Sequence, residues 1–330
     1  MNIDNLASVA GKMVENNKGL LAADESTGTI AKRLDSIGVV STEETRRDYR
    51  ELLFSTKGLE EFISGAILYD ETLRQDTKDG GPISSLLINK GLLVGIKVDM
   101  GAKSLAGAEG EKVTEGLDGL EGRVNEYVEM GAAFAKWRAV INIGISKPSN
   151  YCINVNAHAL ARYAKICQEG GLVPIVEPEV LMDGDHTIDQ CAEVTQATLD
   201  AVFSELFNQR VALEGIILKP NMVISGSACI EQASVEEVAK RTIVVLKRAV
   251  PAAVKGIMFL SGGQAEDKAT EHLHTMNKSK EGLPWILSYS YGRALQESAL
   301  KAWKGDNNNT LQAQGCLLER AKLNSAACAV

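Results

Sequence analysis

The sequence contains no Cys-x-x-Cys pair. Its six cysteines, Cys152, Cys167, Cys191, Cys229, Cys316 and Cys328, are scattered. That argues against a zinc knuckle or a thioredoxin-type redox motif and for buried, reduced thiols. Histidine is scarcer still, at four residues. His158 is expected inside a helix, His186 at the start of one, and His272 and His274 in a later helix. Three imidazoles converging on a catalytic zinc are therefore not expected, and neither a metal nor a cofactor is called for. Met1 to Asn17 lacks the apolar core of a signal peptide. No apolar run approaches the ~18 residues of a membrane span. A cytoplasmic location is expected, or an organelle after removal of a transit peptide. Positive charge is in deficit, with 35 Lys and Arg against 43 Asp and Glu, a net charge of −8. Such a balance suits neither a nucleic-acid backbone nor a membrane surface as partner, yet it is compatible with a local basic site for a small anion.

What is present is ordinary globular material, 45% hydrophobic and 24% charged over 330 residues. At ~150 residues per domain the length suggests two domains, but an α/β barrel takes ~250 residues or more as one unit. Eight short β-type runs recur along the chain. They are Leu20–Ala23, Gly65–Tyr69, Leu93–Val98, Phe134–Ile141, Leu172–Val176, Gly215–Leu218, Gly256–Leu260 and Trp285–Tyr289. Most are near-continuously apolar, as strands covered on both faces should be. Helical patterns fill the gaps. Ser41 with Glu44, and Ser234 with Glu237, read as capping boxes. Asp185 reads as the N-cap of a later long helix. No linker or composition break divides the repeat, so the fold expected is α/β, a single (β/α)8 TIM barrel spanning residues 1–330. A two-domain doubly wound fold would want G-x-G-x-x-G after the first strand, where Ala23-Asp24-Glu25-Ser26-Thr27-Gly28 stands instead.

Charge gathers where these strands run out. Asp24 and Ser26 follow the first, Lys97 and Asp99 end the third, and Lys136 and Arg138 lie in the fourth. Glu177 and Glu179 end the fifth, Lys219 the sixth, and Arg293 follows the eighth. Residues i and i+2 share a strand face. Burying such pairs under helices costs several kcal/mol per unpaired ion, so the barrel interior near its C-terminal mouth is the favoured address. Lys219 enters from the dry run Gly215-Ile216-Ile217-Leu218. A desolvated amine near other cations is easily neutral and can attack a carbonyl. The same position also suits an ion-paired barrel lysine, and the residues alone leave both readings open. Ser261-Gly262-Gly263 and Ser290-Tyr291-Gly292-Arg293 follow the last two strands, where barrels often hold phosphate on backbone N–H groups.

Seven blocks, in order and each at a strand end, resemble class I fructose-bisphosphate aldolase, the metal-independent, Schiff-base type. They are Leu21–Gly28, Gly95–Asp99, Phe134–Arg138, Pro174–Glu179, Leu213–Asn221, Phe259–Gln264 and Ser290–Gln296. The resemblance implies reversible cleavage of fructose 1,6-bisphosphate to dihydroxyacetone phosphate and glyceraldehyde 3-phosphate, in glycolysis and gluconeogenesis. It implies Lys219 as the Schiff-base lysine, Glu177 as general acid and base, and Asp24 as acceptor of the C4 hydroxyl proton or as the group that orients that acceptor. Lys136 would stabilise charge nearby, and Glu179 joins the catalytic set. Ser261, Gly262, Gly292 and Arg293 would hold the C1 phosphate, and Gly263 and Ser290 join the substrate- and phosphate-binding set. Ser26, Thr29, Lys97 and Arg138 would surround the C6 phosphate, with Arg33 and Arg46 near the substrate. A homotetramer is the family's usual assembly. Animal and plant members usually carry a C-terminal extension finishing in a tyrosine that reaches the site, whereas the sequence in hand runs to Ala327-Cys328-Ala329-Val330. Two other readings compete. A Schiff-base barrel for a smaller phosphosugar, such as a deoxyribose-phosphate aldolase, needs only one phosphate site. A non-catalytic, sugar-phosphate-binding barrel has no need of Lys219, Glu177, Lys136 and Asp24 together.

Overall fold

A computed structural model describes residues 2–330. Ten strands occur in chain order: β1 (Gly19–Ala23), β2 (Ile63–Leu68), β3 (Leu93–Lys97), β4 (Ala102–Ser104), β5 (Lys112–Thr114), β6 (Phe134–Ile141), β7 (Val173–Val180), β8 (Ile217–Leu218), β9 (Gly256–Phe259) and β10 (Ile286–Tyr291). Eight of them close a parallel barrel in the order β1-β10-β9-β8-β7-β6-β3-β2. Helices connect them, so the expected (β/α)8 barrel is what the chain forms. The remaining two, β4 and β5, make an antiparallel hairpin outside the barrel that sequence reading did not foresee.

All eight expected strands are present, β6 with the expected ends and the other seven with altered ones. β7 continues to Val180, so Glu177 and Glu179 stand within the strand rather than beyond it. β8 is shorter than expected because Leu213–Gly215 wind into a 3-10 turn. Two caps differ from expectation. The helix Glu43–Ser55 is closed by a reciprocal box between Thr42 and Thr45, leaving Ser41 to accept a hydrogen bond from Arg46. The helix Ile188–Asn208 is capped by Thr187 with Gln190, because Asp185 lies too far before its first turn. His186 consequently sits buried in the preceding loop instead of opening the helix. Ser234 does cap its helix, accepting from the Glu237 backbone N–H at 3.2 Å, but the reciprocal bond from the Glu237 side chain that a capping box requires is not formed.

Strand periodicity sorts the barrel interior into a dry base and a charged mouth. Along β7, Val173 and Ile175 are followed on the same face by Glu177 and Glu179. Along β6, Phe134 gives way to Lys136 and Arg138; on β8, Ile217 leads to Lys219; on β1, Leu20 and Ala22 lead to Asp24. The apolar members form one buried cluster with Ile67 and Met258. The helix Ile3–Val14 seals this cluster from below with Leu6, Ala10, Met13 and Val14, a stripe at helical spacing. Opposite strand residues, such as Leu21, Trp137, Val176, Leu218 and Phe259, pack under the surrounding helices. The base is so tight that a β-carbon on Gly95 would lie 2.1 Å from the Phe134 ring.

Candidate active site

Sealed at its base, the barrel opens at the C-terminal ends of its strands into a cavity of about 260 Å³. Four buried charges form a chain across its floor. Lys136 Nζ lies 2.8 Å from Asp24 Oδ2 and 3.1 Å from Glu177 Oε2. The other oxygen, Glu177 Oε1, lies 3.2 Å from Lys219 Nζ. One carboxylate therefore bridges two ammonium groups, and one ammonium bridges two carboxylates. None of the four is more than 8% exposed. At such depth an unpaired charge is costly, so the set is stable only as a set.

The chain fixes protonation. Burial opposes the Lys136 charge, but Asp24, Glu177 and Asp99 outweigh it and raise its pKa. Burial likewise opposes the Asp24 carboxylate, and Lys136, Lys219 and Lys97 reverse the effect and lower its pKa. Glu177 is also lowered: burial pushes up, while Lys136, Lys219 and Arg138 pull further down. At neutral pH the site thus rests with Asp24 and Glu177 ionised and Lys136 protonated. Glu179 is clamped by Arg138 on the neighbouring strand. For Arg138 burial is again the largest effect, and Glu179 overcomes it to raise the pKa.

Polar groups suited to anions flank this floor. On one side Ser261, Gly262 and Gly263 follow β9, with both glycines left-handed at φ +59° and +99°. Ser290 at the end of β10 is buried, and its hydroxyl has no hydrogen-bond partner. Gly292 precedes the helix Arg293–Trp303, whose first residue reaches back so that a β-carbon on Gly263 would lie 3.4 Å from Arg293 Nη2. On the other side Ser26 and Thr29 share a hydrogen bond of 3.1 Å at the start of the helix Thr27–Asp35. Lys97 lies beside them on β3, 3.4 Å from Asp99 Oδ1. Arg33 is held by Glu25.

All the candidate residues read from sequence line this cavity except Arg46. The Arg46 guanidinium is instead engaged by Glu71, with Nε 2.8 Å from Oε1, and does not line the mouth. A carboxylate from the short helix Asp70–Leu73 satisfies it, which the linear spacing could not reveal. Sequence reading missed Ala22, Glu25, Leu181, Asp183 and Leu260 as lining residues. Glu25 had a usable signal, adjacent to Asp24 but turned to Arg33, to Gln296 at 3.1 Å and to the fully buried Arg50 at 3.9 Å. Leu181 and Asp183 were hidden by the underestimated length of β7.

Arg33, Lys97, Lys136, Arg138, Lys219 and Arg293 face Asp24, Glu25, Glu177, Glu179 and Asp183 around the cavity. In a protein of net charge −8 the cavity lining thus carries a small cationic excess, six against five, which suits an anionic ligand. The geometry offers an amine in contact with an ionised carboxylate, a second carboxylate close by, and anion-binding groups at both ends. Such a site can form an imine on a ketone, move protons beside it and hold a substrate by two anionic groups. Among the described residues no group of three or more His, Cys, Asp and Glu is arranged to hold a metal ion. No helix there is long and apolar enough to cross a membrane.

The family described as fructose-bisphosphate aldolase class-I matches residues 5–330. A Xanthomonas campestris protein named probable fructose-bisphosphate aldolase class 1 is 58% identical over 328 residues, 99% of this chain and 98% of its own. Fructose-bisphosphate aldolase 6, cytosolic, of Arabidopsis thaliana is 53% identical over 98% of this chain and 90% of its own. A solved structure of fructose-bisphosphate aldolase from Plasmodium falciparum, in complex with TRAP and a small-molecule inhibitor, superposes with a TM-score of 0.97 at 49% identity. It covers 99% of this chain and 94% of that one.

Proposed function

The chain belongs to the class I fructose-bisphosphate aldolase family, lyases of glycolysis, and from that premise we propose how its own residues cleave fructose 1,6-bisphosphate. The observation that carries the assignment is the Glu177 carboxylate spanning Lys219 and Lys136. Lys136 is held as an ammonium between two carboxylates, which disqualifies it as nucleophile. Lys219 touches only one. Glu177, ionised at rest, takes one proton from the Lys219 ammonium, and the freed amine attacks the C2 ketone. A second N–H proton passes to the alkoxide to make the carbinolamine hydroxyl, and Glu177 returns the first proton to that hydroxyl, which leaves as water and gives a protonated imine. Asp24, also ionised, accepts the C4 hydroxyl proton while the C3–C4 bond breaks and its electron pair flows into the iminium. Glyceraldehyde 3-phosphate departs, leaving an enamine. Protonation at C3 and hydrolysis then release dihydroxyacetone phosphate and free Lys219. Lys136 keeps Asp24 and Glu177 anionic and close to their targets. Glu179 steadies Arg138.

In this reading the C1 phosphate rests on Ser261, Gly262, Gly263, Ser290, Gly292 and Arg293. The C6 phosphate rests on Ser26, Thr29, Lys97 and Arg138, with Arg33 between the two groups. The whole chain works as one catalytic domain, and the cytosolic naming of the Arabidopsis relative supports a cytoplasmic enzyme. A homotetramer is the proposed assembly; almost fully exposed side chains such as Ile145 and Ile230 are apolar surface such an assembly could cover.

Borohydride trapping tests the assignment. With fructose 1,6-bisphosphate, wild-type protein should yield one reduced adduct, mapped to Lys219. Lys219→Met should lose both adduct and turnover while keeping the barrel folded, since methionine roughly fills the same volume. An adduct appearing on Lys136 would move the chemistry from β8 to β6 and refute the scheme.

A further inference from the structure

Two consecutive left-handed glycines are conformationally loose, so a backbone cradle built on Gly262 and Gly263 needs something to hold it. The structure supplies a holder from behind. The Ser261 carbonyl accepts two hydrogen bonds from Gln264, one from the backbone N–H and one from the side-chain Nε2, each 3.0 Å. Since a carbonyl only accepts, the amide nitrogen must face Ser261, and Gln264 Oε1 must face the other way. There it meets His272 Nδ1 at 2.7 Å. An amide oxygen also only accepts, so Nδ1 carries the hydrogen and donates it.

The relay is buried. Gln264 and His272 are each 8% exposed, and His272 lies in the helix Glu266–Lys278, a rigid neighbour of the loop. Burial, reinforced by Lys268, lowers the imidazole pKa to about 4, so the ring is uncharged at neutral pH. A cavity of about 380 Å³ lies on this side of the loop, with Gly263, Gln264 and His272 in its wall. The amide nitrogen also lies 3.7 Å from Met222 Sδ, a weak acceptor, while the amide oxygen takes its bond from His272.

We propose that His272 is a positioning residue for the C1-phosphate cradle: it orients the Gln264 amide, which pins the Ser261 carbonyl and so aims the Ser261-Gly262-Gly263 backbone at the ligand. The inference rests on the phosphate role given above to this loop. His272 touches neither substrate nor reacting atoms, and it acts on binding of one phosphate rather than on proton transfer.

Steady-state cleavage of fructose 1-phosphate tests it, because that substrate engages only the C1 cradle. His272→Phe removes the donor and should raise KM for fructose 1-phosphate about tenfold while kcat changes less than threefold. Asn at 272 places its Nδ2 where the imidazole Nδ1 stands, so His272→Asn should recover most of the loss. Gln264→Met attacks the same link from its other end and should match His272→Phe. The double variant should be no worse than either single one, as expected of residues acting in series. An unchanged KM in His272→Phe, an Asn variant as impaired as the Phe variant, or additive losses in the double variant would each overturn the proposal. Gly262→Ala separates this from failure of the underlying reading. If Gly262→Ala raises KM and His272→Phe does not, the positioning role alone is lost. If neither raises it, the phosphate assignment falls as well.

Discussion

Replacing Lys136 with methionine should leave two carboxylates, Asp24 and Glu177, facing each other on the barrel floor without the ammonium that now lies 2.8 and 3.1 Å from them. Removing one partner from a buried ion pair costs ~3–5 kcal/mol, because the survivor remains desolvated and unpaired. For 330 residues the unfolding entropy is about 0.7 kcal/mol/K, so the Tm should fall by ~4–7 °C at neutral pH. The pH dependence is the sharper readout. Asp24 and Glu177 have lowered pKa values in the folded wild type. Their unfolded values are near ~3.9 and ~4.3. Such groups contribute stability that is fully present above the unfolded pKa and is lost as pH falls through the folded pKa. Lys136→Met removes the main cation behind that contribution, and its surviving carboxylates can escape repulsion by taking up protons. The Tm gap between wild type and variant should therefore be widest at pH 6–8 and narrow steadily toward pH 4. Thermal unfolding followed by circular dichroism at six or seven pH values measures it, with Lys219→Met as a control that keeps the Asp24–Lys136–Glu177 bridge. Turnover should drop by ~10²–10³, the range for loss of one preorganised electrostatic group. A gap that stays constant from pH 8 to pH 4 would refute the reasoning, since it would make Lys136 a packing residue rather than the counter-ion of the site.

The sequence carried the barrel and most of the site for one physical reason. A buried parallel strand is apolar by default, so a lysine or glutamate at the end of such a run stands out. Lys219 after Gly215–Leu218 and Glu177 after Pro174–Val176 are of this kind, and both lie on the cavity floor. What the pattern could not supply was partner choice. Arg46 and Arg33 look alike in sequence, each in a helix near the mouth. Glu71 takes Arg46, whereas Glu25 holds Arg33 within the cavity wall. Such pairings span up to 25 residues and depend on where helices dock, which local spacing does not encode. The β4–β5 hairpin was missed because its strands are three residues each and half exposed, too short for a period to register. The caps failed on a finer scale. Several Ser, Thr or Asp residues stand within three positions of each helix start, and only the backbone decides which one accepts the N–H.

Two further substitutions probe the ends of the interior. Arg293→Ala should raise KM for fructose 1,6-bisphosphate tenfold or more, since a charge-assisted contact to phosphate is worth ~1.5–3 kcal/mol, and should barely move the Tm. An unchanged KM with a large fall in Tm would identify a structural arginine instead. Gly95→Ala concerns the dry base. Its β-carbon would lie 2.1 Å from the Phe134 ring, which is fully buried and also crowded by Gly65 on β2. The ring cannot retreat without displacing the base cluster, so overpacking of ~1–3 kcal/mol is expected, a Tm loss of ~1–4 °C by the same entropy. The strain should also be felt above, because Lys97 stands two residues further along the same face of β3 and lines the cavity. A modest rise in KM is therefore expected along with the lower Tm. Phe134→Leu makes room beside residue 95. On its own it should destabilise by leaving a void, but combined with Gly95→Ala it should recover part of the loss, since the two changes meet in one contact. If the double variant loses stability additively, or if Gly95→Ala alone is neutral, then the base tolerates the extra methyl and the glycine is not what lets the Phe134 ring fill the barrel.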